Sequence, residues 1–338
     1  MWTAAERTAA AGAALKTSPL AMQKLLAFAY LGRINMAPLT MSVPVLGALT
    51  GDNPSHLVRL MLVGLAAHLF GFALNDLIDL PLDRNVRPQH PLITGRLQTR
   101  EAWIGVALLP VLALALYPGK WIGLLIASLL LSLIYNRWSK WGSLPRLLAE
   151  LALAASIGLL CLSGADHLDS KAMLFSAVLA AVLLLINSVP SGLKDLKTDA
   201  DYGARSFVLA MGCAMLDADQ MLIPPRMKIY TTALNSVIVA GILVLLITYR
   251  PITAVLSVIL LIFGALHLRR VLNLTTFSAV RRSLPLLNGY FNYTALALVL
   301  IDQMPILLQL AYGWLALLLV LVPLQIGMRL WRQRYEWA

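Results

Sequence analysis

Residues 75–83 read NDLIDLPLD and residues 195–201 read DLKTDAD, and each run closes a long apolar segment. A carboxylate at the centre of a membrane helix costs about 2.5 to 3.5 kcal/mol or more. Asp76, Asp79, Asp83, Asp195, Asp199 and Asp201 therefore call for compensating partners. A pair of Mg²⁺ ions carrying a diphosphate has the right chemistry, because Mg²⁺ is usually held by a few carboxylates together with substrate phosphates.

The rest of the chain agrees with a bilayer setting. Of its 338 residues, 59% are hydrophobic and only 13% are charged, and mean hydropathy is +0.78. Soluble proteins carry about 25% charged residues. An all-α, polytopic transmembrane bundle follows, with its length spent on spans. Cys161 and Cys213 have no CxxC spacing, so neither a zinc site nor a disulfide framework is indicated, and both read as packing residues. Residues 1–26 are Ala-rich and lack a strong apolar core. They read as an N-terminal cytoplasmic segment forming an amphipathic surface helix, with one transmembrane domain over 27–338.

Apolar runs of spanning length predict helices near 27–49, 57–77, 102–117, 119–135, 144–162, 172–193, 229–249, 252–268, 284–301 and 307–329. Pro118-Gly119 splits the stretch 102–135 into a hairpin. With a cytoplasmic N-terminus, the inside segments hold 22 Lys and Arg, while the outside loops hold only Lys120, Lys171 and Arg250. That bias orients the protein and explains the net charge of +11 without nucleic acid. Both acidic runs then lie on the cytoplasmic side, in the long connections after the second and sixth segments. These connections would form a cytoplasmic cap, since long ordered connections are usually functional.

Asp76, Asp79 and Asp83 are spaced i, i+3, i+7 and share a helix face, which Asn75 joins at i, i+4 from Asp79. Asn187, Ser191, Asp195 and Asp199 follow at steps of four, and Pro190 predicts a kink beneath them. One such Asp alone would read as a solvated helix end. Two regular clusters on one side do not. An ion transporter is a rival reading, because intramembrane carboxylates also line ion paths. Against it stand nearby cations that suit an anion: Arg84, Arg87, Arg96, Arg137, Lys140, Lys194, Lys197 and Arg205. His68 lies on the Asn75 face, and Glu150 follows Arg146 by one turn. Each has an ordinary packing or ion-pair reading beside a pocket-lining one. Asn288 and Asn292 share a face suited to interhelical hydrogen bonds.

The run NDLIDLPLDRNVRPQHPLITGR resembles the first signature of the UbiA superfamily of intramembrane prenyltransferases. Asn75, Asp79 and Asp83 match its Asn-x-x-x-Asp-x-x-x-Asp core, and Arg87, Pro88, Pro91 and Gly95 match its tail. DLKTDADYGARS resembles the second signature through Asp195, Asp199, Gly203 and Ser206. Arg33-Ile34-Asn35 and Tyr135 with Arg137 are similar to further family positions.

The resemblance implies Mg²⁺ ligation by Asn75, Asp79, Asp83, Asp195 and Asp199, with Asp76 in the same catalytic group. It implies diphosphate and substrate contacts from Asn75, Arg84, Arg87, His90, Tyr135, Arg137, Lys140, Asn187, Lys194, Lys197 and Arg205. The expected reaction moves a polyprenyl group from a prenyl diphosphate to a lipophilic, aromatic acceptor through an allylic cation. Phe70, Phe72, Tyr135, Trp138 and Trp141 are candidate walls for that cation. A terpene cyclase of the same superfamily, with no acceptor, is the alternative. Two departures stand out. The family usually has nine spans, whereas the charge pattern here favours ten. His90 replaces an arginine, and is expected to touch the diphosphate with a strength that depends on its protonation.

Overall fold

The computed structural model describes residues 20–51, 55–139 and 145–319. Helix α1 spans Leu20–Leu31, and a 3₁₀ turn at Ile34–Met36 leads into α2, Ala37–Ala48. α3 spans Leu57–Ile78, α4 Leu80–Val86, α5 Thr99–Leu116, α6 Ile122–Trp138 and α7 Arg146–Gly164. α8, Ser170–Ile186, runs through a π-helical turn at Asn187–Ser191 into α9, Gly192–Asp201. The short α10, Phe207–Ala210, and a hairpin of β1, Ala214–Met215, and β2, Met221–Leu222, follow. α11 covers Pro225–Tyr249, α12 Ala254–Leu272, α13 Phe277–Arg282 and α14 Leu287–Ala297, which continues as 3₁₀ helix over Leu298–Gln303. α15, Ile306–Leu319, is the last described helix.

Among the described residues, seven helices are long and apolar enough to cross a membrane: 57–78, 99–116, 146–164, 170–201, 225–249, 254–272 and 277–303. The remaining expected segments correspond to shorter apolar helices, such as the 17-residue α6. The first expected segment is two helices, because the chain breaks at Arg33, which adopts φ 46° and ψ 50°. The amphipathic helix expected within 1–26 lies mostly outside the described residues, as does the end of the segment expected at 307–329.

α5 illustrates why these sequences become membrane helices. Ala102, Val106, Leu109 and Ala113 are buried along one face, while Trp103, Ile104, Leu108, Val111 and Leu112 are exposed. In water such an outward face would be polar; an apolar one is solvated by lipid. The backbone N–H of Gln98 donates to Glu101 Oε2 at 3.2 Å and satisfies the helix start.

The chain divides into two compact units: one runs to Ser42 and from Met61 to Tyr117, the other from Val43 to Leu60 and from Pro118 onward. In the first, α1 is tied to α5 by the Lys24–Glu101 ion pair, and Gly105 lets the Phe28 ring approach α5 closely. In the second, α7 packs along α6 and α8, α8 also meets α11 and α14, and α12 lies against α14. Its polar interior is paired across helices. Ser128 and Ser156 each donate to the other's carbonyl, at 2.7 and 2.8 Å. Asn288 donates to Gly264 O at 2.8 Å, and Asn292 to Asn235 Oδ1 at 3.0 Å. Cys161 and Cys213 are buried and unbonded, as expected of packing residues.

Candidate active site

The first acidic run sits where α3 passes into α4. The backbone carries the helix across the junction: Asp79 N–H donates to Asn75 O at 2.8 Å, Asp83 to Asp79 O at 2.9 Å, and Arg87 to Asp83 O at 2.8 Å. Asn75, Asp79, Asp83 and Arg87 therefore form one stripe. Pro81, in the first turn of α4, lacks an N–H that would have no partner there. Asp76, Asp79 and Asp83 are all buried.

Asp76 leaves that stripe and is held by cations. Arg33 Nη2 lies 3.0 Å from Oδ1, His90 Nε2 3.1 Å from Oδ2, and Arg87 Nη1 3.8 Å from Oδ1. Arg87 Nη1 also stands 3.4 Å from Asp83 Oδ2. Arg33 reaches Asp76 because the helix break turns it there; its guanidinium lies 4.9 Å from the Phe72 ring centroid and its carbonyl accepts from His68 Nε2 at 3.2 Å. His68 is thus a buried packing residue held through Nε2. His90 is 1% exposed and faces Asp76, so its contact is with a carboxylate of the cluster. Truncating Asp76 leaves Arg33 and His90 without their anion. Arg33 is partly exposed, which lowers the full cost of a broken buried pair to about 2–3 kcal/mol. Asp76→Ala should accordingly lower the melting temperature clearly, and an unchanged melting curve would show that these contacts carry no stability.

The second acidic run continues α8. The π turn contains Pro190, which has no N–H to give to the helix ladder, and π turns are frequent at functional sites. The turn aims Asn187 at two partners: Nδ2 donates to Tyr135 Oη at 2.8 Å and to Glu150 Oε2 at 2.5 Å. Ser188 Oγ is 3.2 Å from Tyr230 Oη. Tyr135, Glu150, Asn187 and Ser188 border a cavity of about 50 Å³ that also meets Ser139, Asp195, Asp199 and Ser206. Asp199 is buried, while Asp195 is 40% exposed and pairs with Lys194 at 3.6 Å. Ser206 Oγ is buried and has no hydrogen-bond partner among the described groups.

The remaining expected residues lie further out. Arg84, Arg96, Arg137 and Arg205 are exposed, and Lys197 pairs with Asp201 at 3.5 Å. Arg137 lies 5.9 Å from the Trp138 ring centroid. Lys140 and Trp141 fall outside the described residues.

The profile of the UbiA prenyltransferase family matches residues 35–289. The chain belongs to the UbiA prenyltransferase family. A digeranylgeranylglyceryl phosphate synthase from Korarchaeum cryptofilum (strain OPF8) is 31% identical over 202 residues, covering 56% of this chain and 69% of that one. A solved structure concerned with digeranylgeranylglyceryl phosphate synthase superposes with a TM-score of 0.57 at 18% identity, over 82% of this chain and 99% of that chain. A UbiA homologue from Archaeoglobus fulgidus bound to GPP and Mg²⁺ superposes with a TM-score of 0.58 at 15% identity, over 80% and 99%. At these identities the two solved structures share the fold.

Family membership makes this UbiA protein a membrane prenyltransferase. Its donor set can be tested against the divalent metal of the family. Burial pushes the Asp83 carboxyl above the ordinary carboxylate range, with Asp76 and Asp79 adding to the push against Arg87 and His90. A cation placed beside such a carboxyl favours its charged form. Asp76, Asp83 and His90 bring ligand atoms within 4.8 Å of one another. The oxygen donors fit a hard ion such as Mg²⁺; an imidazole does not, which agrees with His90 acting on Asp76.

Ser139 and Tyr230 escaped the sequence reading, and neither carries a signal in the sequence. Arg33 was marked only by its similarity to a family position, although an arginine inside an apolar span also demands a partner.

Proposed function

We propose that this protein transfers a polyprenyl group from a prenyl diphosphate to a lipophilic acceptor in a Mg²⁺-dependent reaction that begins with ionisation of the diphosphate. The observation that carries this reading is the buried carboxylate stripe of α3 and α4, where Asp79 and Asp83 lie one turn apart with Asp76 beside them. The proposed ligands are Asn75, Asp79, Asp83, Asp195 and Asp199. Bound there, Mg²⁺ neutralises the diphosphate leaving group. Arg84, Arg87, Lys197 and Arg205 hold the same anion, with Arg137 of the last turn of α6 and Lys140. His90 and Arg33 fix Asp76 and so orient the end of α3. Asn187, held by Glu150 and Tyr135, presents the polar edge of the cavity of about 50 Å³. Apolar walls keep water from the allylic cation.

The acceptor is read in two ways. The sequence favours an aromatic ring, while the Korarchaeum relative is named for a glyceryl phosphate product. Mass spectrometry of products from farnesyl and geranylgeranyl diphosphates, with aromatic and glyceryl phosphate acceptors, with Mg²⁺ and with chelator, separates them. A prenylated acceptor formed only with metal supports transfer. A hydrocarbon product without acceptor would assign a cyclase, and no diphosphate consumption would assign a transporter.

We also place both termini and both acidic connections on the cytoplasmic side of a ten-span bundle, on the distribution of basic residues. Cysteine labelling at residue 338 is expected only from the cytoplasmic face, and labelling from outside would reduce the count to nine.

A further inference from the structure

A second cavity, of about 360 Å³, lies beside the second acidic run. Its volume is that of a ligand pocket, and no acidic side chain lines it. Lys194 of α9 and Arg281 of α13 supply two cations, and Leu284, Leu286, Leu287 and Tyr290 supply an apolar wall. Lys194 already faces Asp195, but Arg281 makes no ion pair with a described residue; its recorded contact is the Phe277 ring, 5.9 Å away.

The wall of this cavity is held in an unusual shape. Leu284 has φ 53°, a region that residues with a branched side chain rarely adopt unless the surroundings impose it. Its carbonyl accepts from His267 Nε2 at 3.3 Å, which fixes the strained turn between α13 and α14. The arginine is fixed from the other end. Asp219, in the β1–β2 hairpin, accepts from the backbone N–H of Ser278 at 2.7 Å and from its hydroxyl at 2.8 Å, while its carbonyl accepts from Phe277 N–H at 2.7 Å. α13, and with it Arg281, is therefore clamped at its first turn.

We propose that this cavity binds the acceptor, and that the acceptor is a single-chain lipid phosphate whose anionic head lies on Arg281 and Lys194 and whose chain begins along Leu284, Leu287 and Tyr290. The proposal rests on the prenyl-transfer reading and names its acceptor class. A guanidinium takes a phosphate bidentately and an ammonium adds a point charge. The cavity's uncharged wall suits the chain that a free phosphate lacks. Lys194 precedes Asp195 directly, so a head bound there lies next to the second acidic run.

Native mass spectrometry of the full chain tests this with a matched pair of probes, oleoyl glycerol phosphate and monoolein, which differ in the phosphate alone. The wild-type protein is expected to hold the phosphate lipid about tenfold more tightly, the size of one charge-assisted contact. Arg281→Gln should bring the two lipids close to parity, Arg281→Lys should keep part of the preference, and Leu287→Trp should weaken both by filling the cavity. With a lipid phosphate as acceptor, Arg281→Gln should raise the acceptor KM about tenfold while prenyl diphosphate binding is unchanged. Equal retention of both lipids by the wild type, or an Arg281→Gln protein as selective as the wild type, overturns the proposal. So does glycerol phosphate competing as well as the lipid, which would make the cavity a site for a free anion. The binding arm needs no turnover. Selective binding without any prenylated product would sink the transfer reading, whereas prenyl transfer without selectivity would sink this cavity alone.

Discussion

Asp79→Ala, Asp195→Ala and Asp199→Ala are each expected to lower prenyl transfer by about 10²–10³-fold or more, in a protein that still inserts and purifies. A metal clamp on a leaving group contributes several kcal/mol of transition-state stabilisation, and each 1.36 kcal/mol is about tenfold in rate. Removing one ligand from a set of few sacrifices most of that. Folding should survive. Asp79 acts on Asp83 as one carboxylate on another, so its removal relieves repulsion there as it removes contacts. Asp201→Ala is the control. Its side chain is 53% exposed and pairs with Lys197 on the surface, an arrangement worth about 0–1 kcal/mol. Turnover should fall less than about twofold. Initial rates at saturating Mg²⁺ decide the matter: near-normal turnover in any of the first three variants would remove that residue from the metal set.

The acidic stripe was legible before the structure because its spacing is regular. Asn75, Asp79 and Asp83 recur every four residues, and the backbone hydrogen bonds from Asp79 to Asn75 and from Asp83 to Asp79 follow the same step. Pro190 likewise announced a disturbance, which proved to be a π turn that redirects Asn187. What pattern could not supply was partnership. Arg33 and Asp76 are 43 residues apart, and Asn187 and Tyr135 are 52 apart, so only tertiary packing brings them together. His90 shows the limit most clearly. Its place where the family tail often has an arginine pointed to a diphosphate contact, and its ring lies against Asp76.

The faces of the helices were illegible for a different reason. Amphipathicity reports which side of a helix meets water, and α5 is apolar on the buried and the exposed side alike. A lipid-solvated helix therefore hides its packing face. Small residues carry what signal remains, because backbones approach closely only where side chains are absent. The hairpin at 214–222 also went unseen, since its strands are two residues each and its turn is shaped by Asp217, whose Oδ1 accepts from the N–H groups of Asp219 and Gln220 at 2.9 and 2.7 Å.

The second large effect is expected at such small residues, Gly47 and Gly164. α2 and α7 meet through a reciprocal contact within one unit. A Cβ on Gly47 would overlap the carbonyl oxygen of Cys161 and lie 2.7 Å from its carbonyl carbon. A Cβ on Gly164 would overlap the carbonyl oxygen of Pro44 and lie 2.7 Å from that carbonyl carbon. Pro44 and Gly47 are one turn apart on α2, as are Cys161 and Gly164 at the end of α7. The obstructing atoms are backbone, which cannot swing aside as a side chain can. Either alanine must separate the helices and forfeit the dispersion contacts along both. Overpacking costs about 1–3 kcal/mol, and rigid backbone neighbours place these sites at the upper end. In a unit of this size about 2–3 kcal/mol corresponds to a fall of roughly 5–10 °C in melting temperature. Gly123→Ala supplies the contrast, because nothing lies within 4 Å of its Cβ position on α6. There the gain in helix propensity should leave the protein as stable as the wild type or more so, by up to about 1 kcal/mol. Thermal melts of the three variants in one detergent measure the difference. If Gly47→Ala and Gly164→Ala melt with Gly123→Ala, the helices do not meet at these carbonyls.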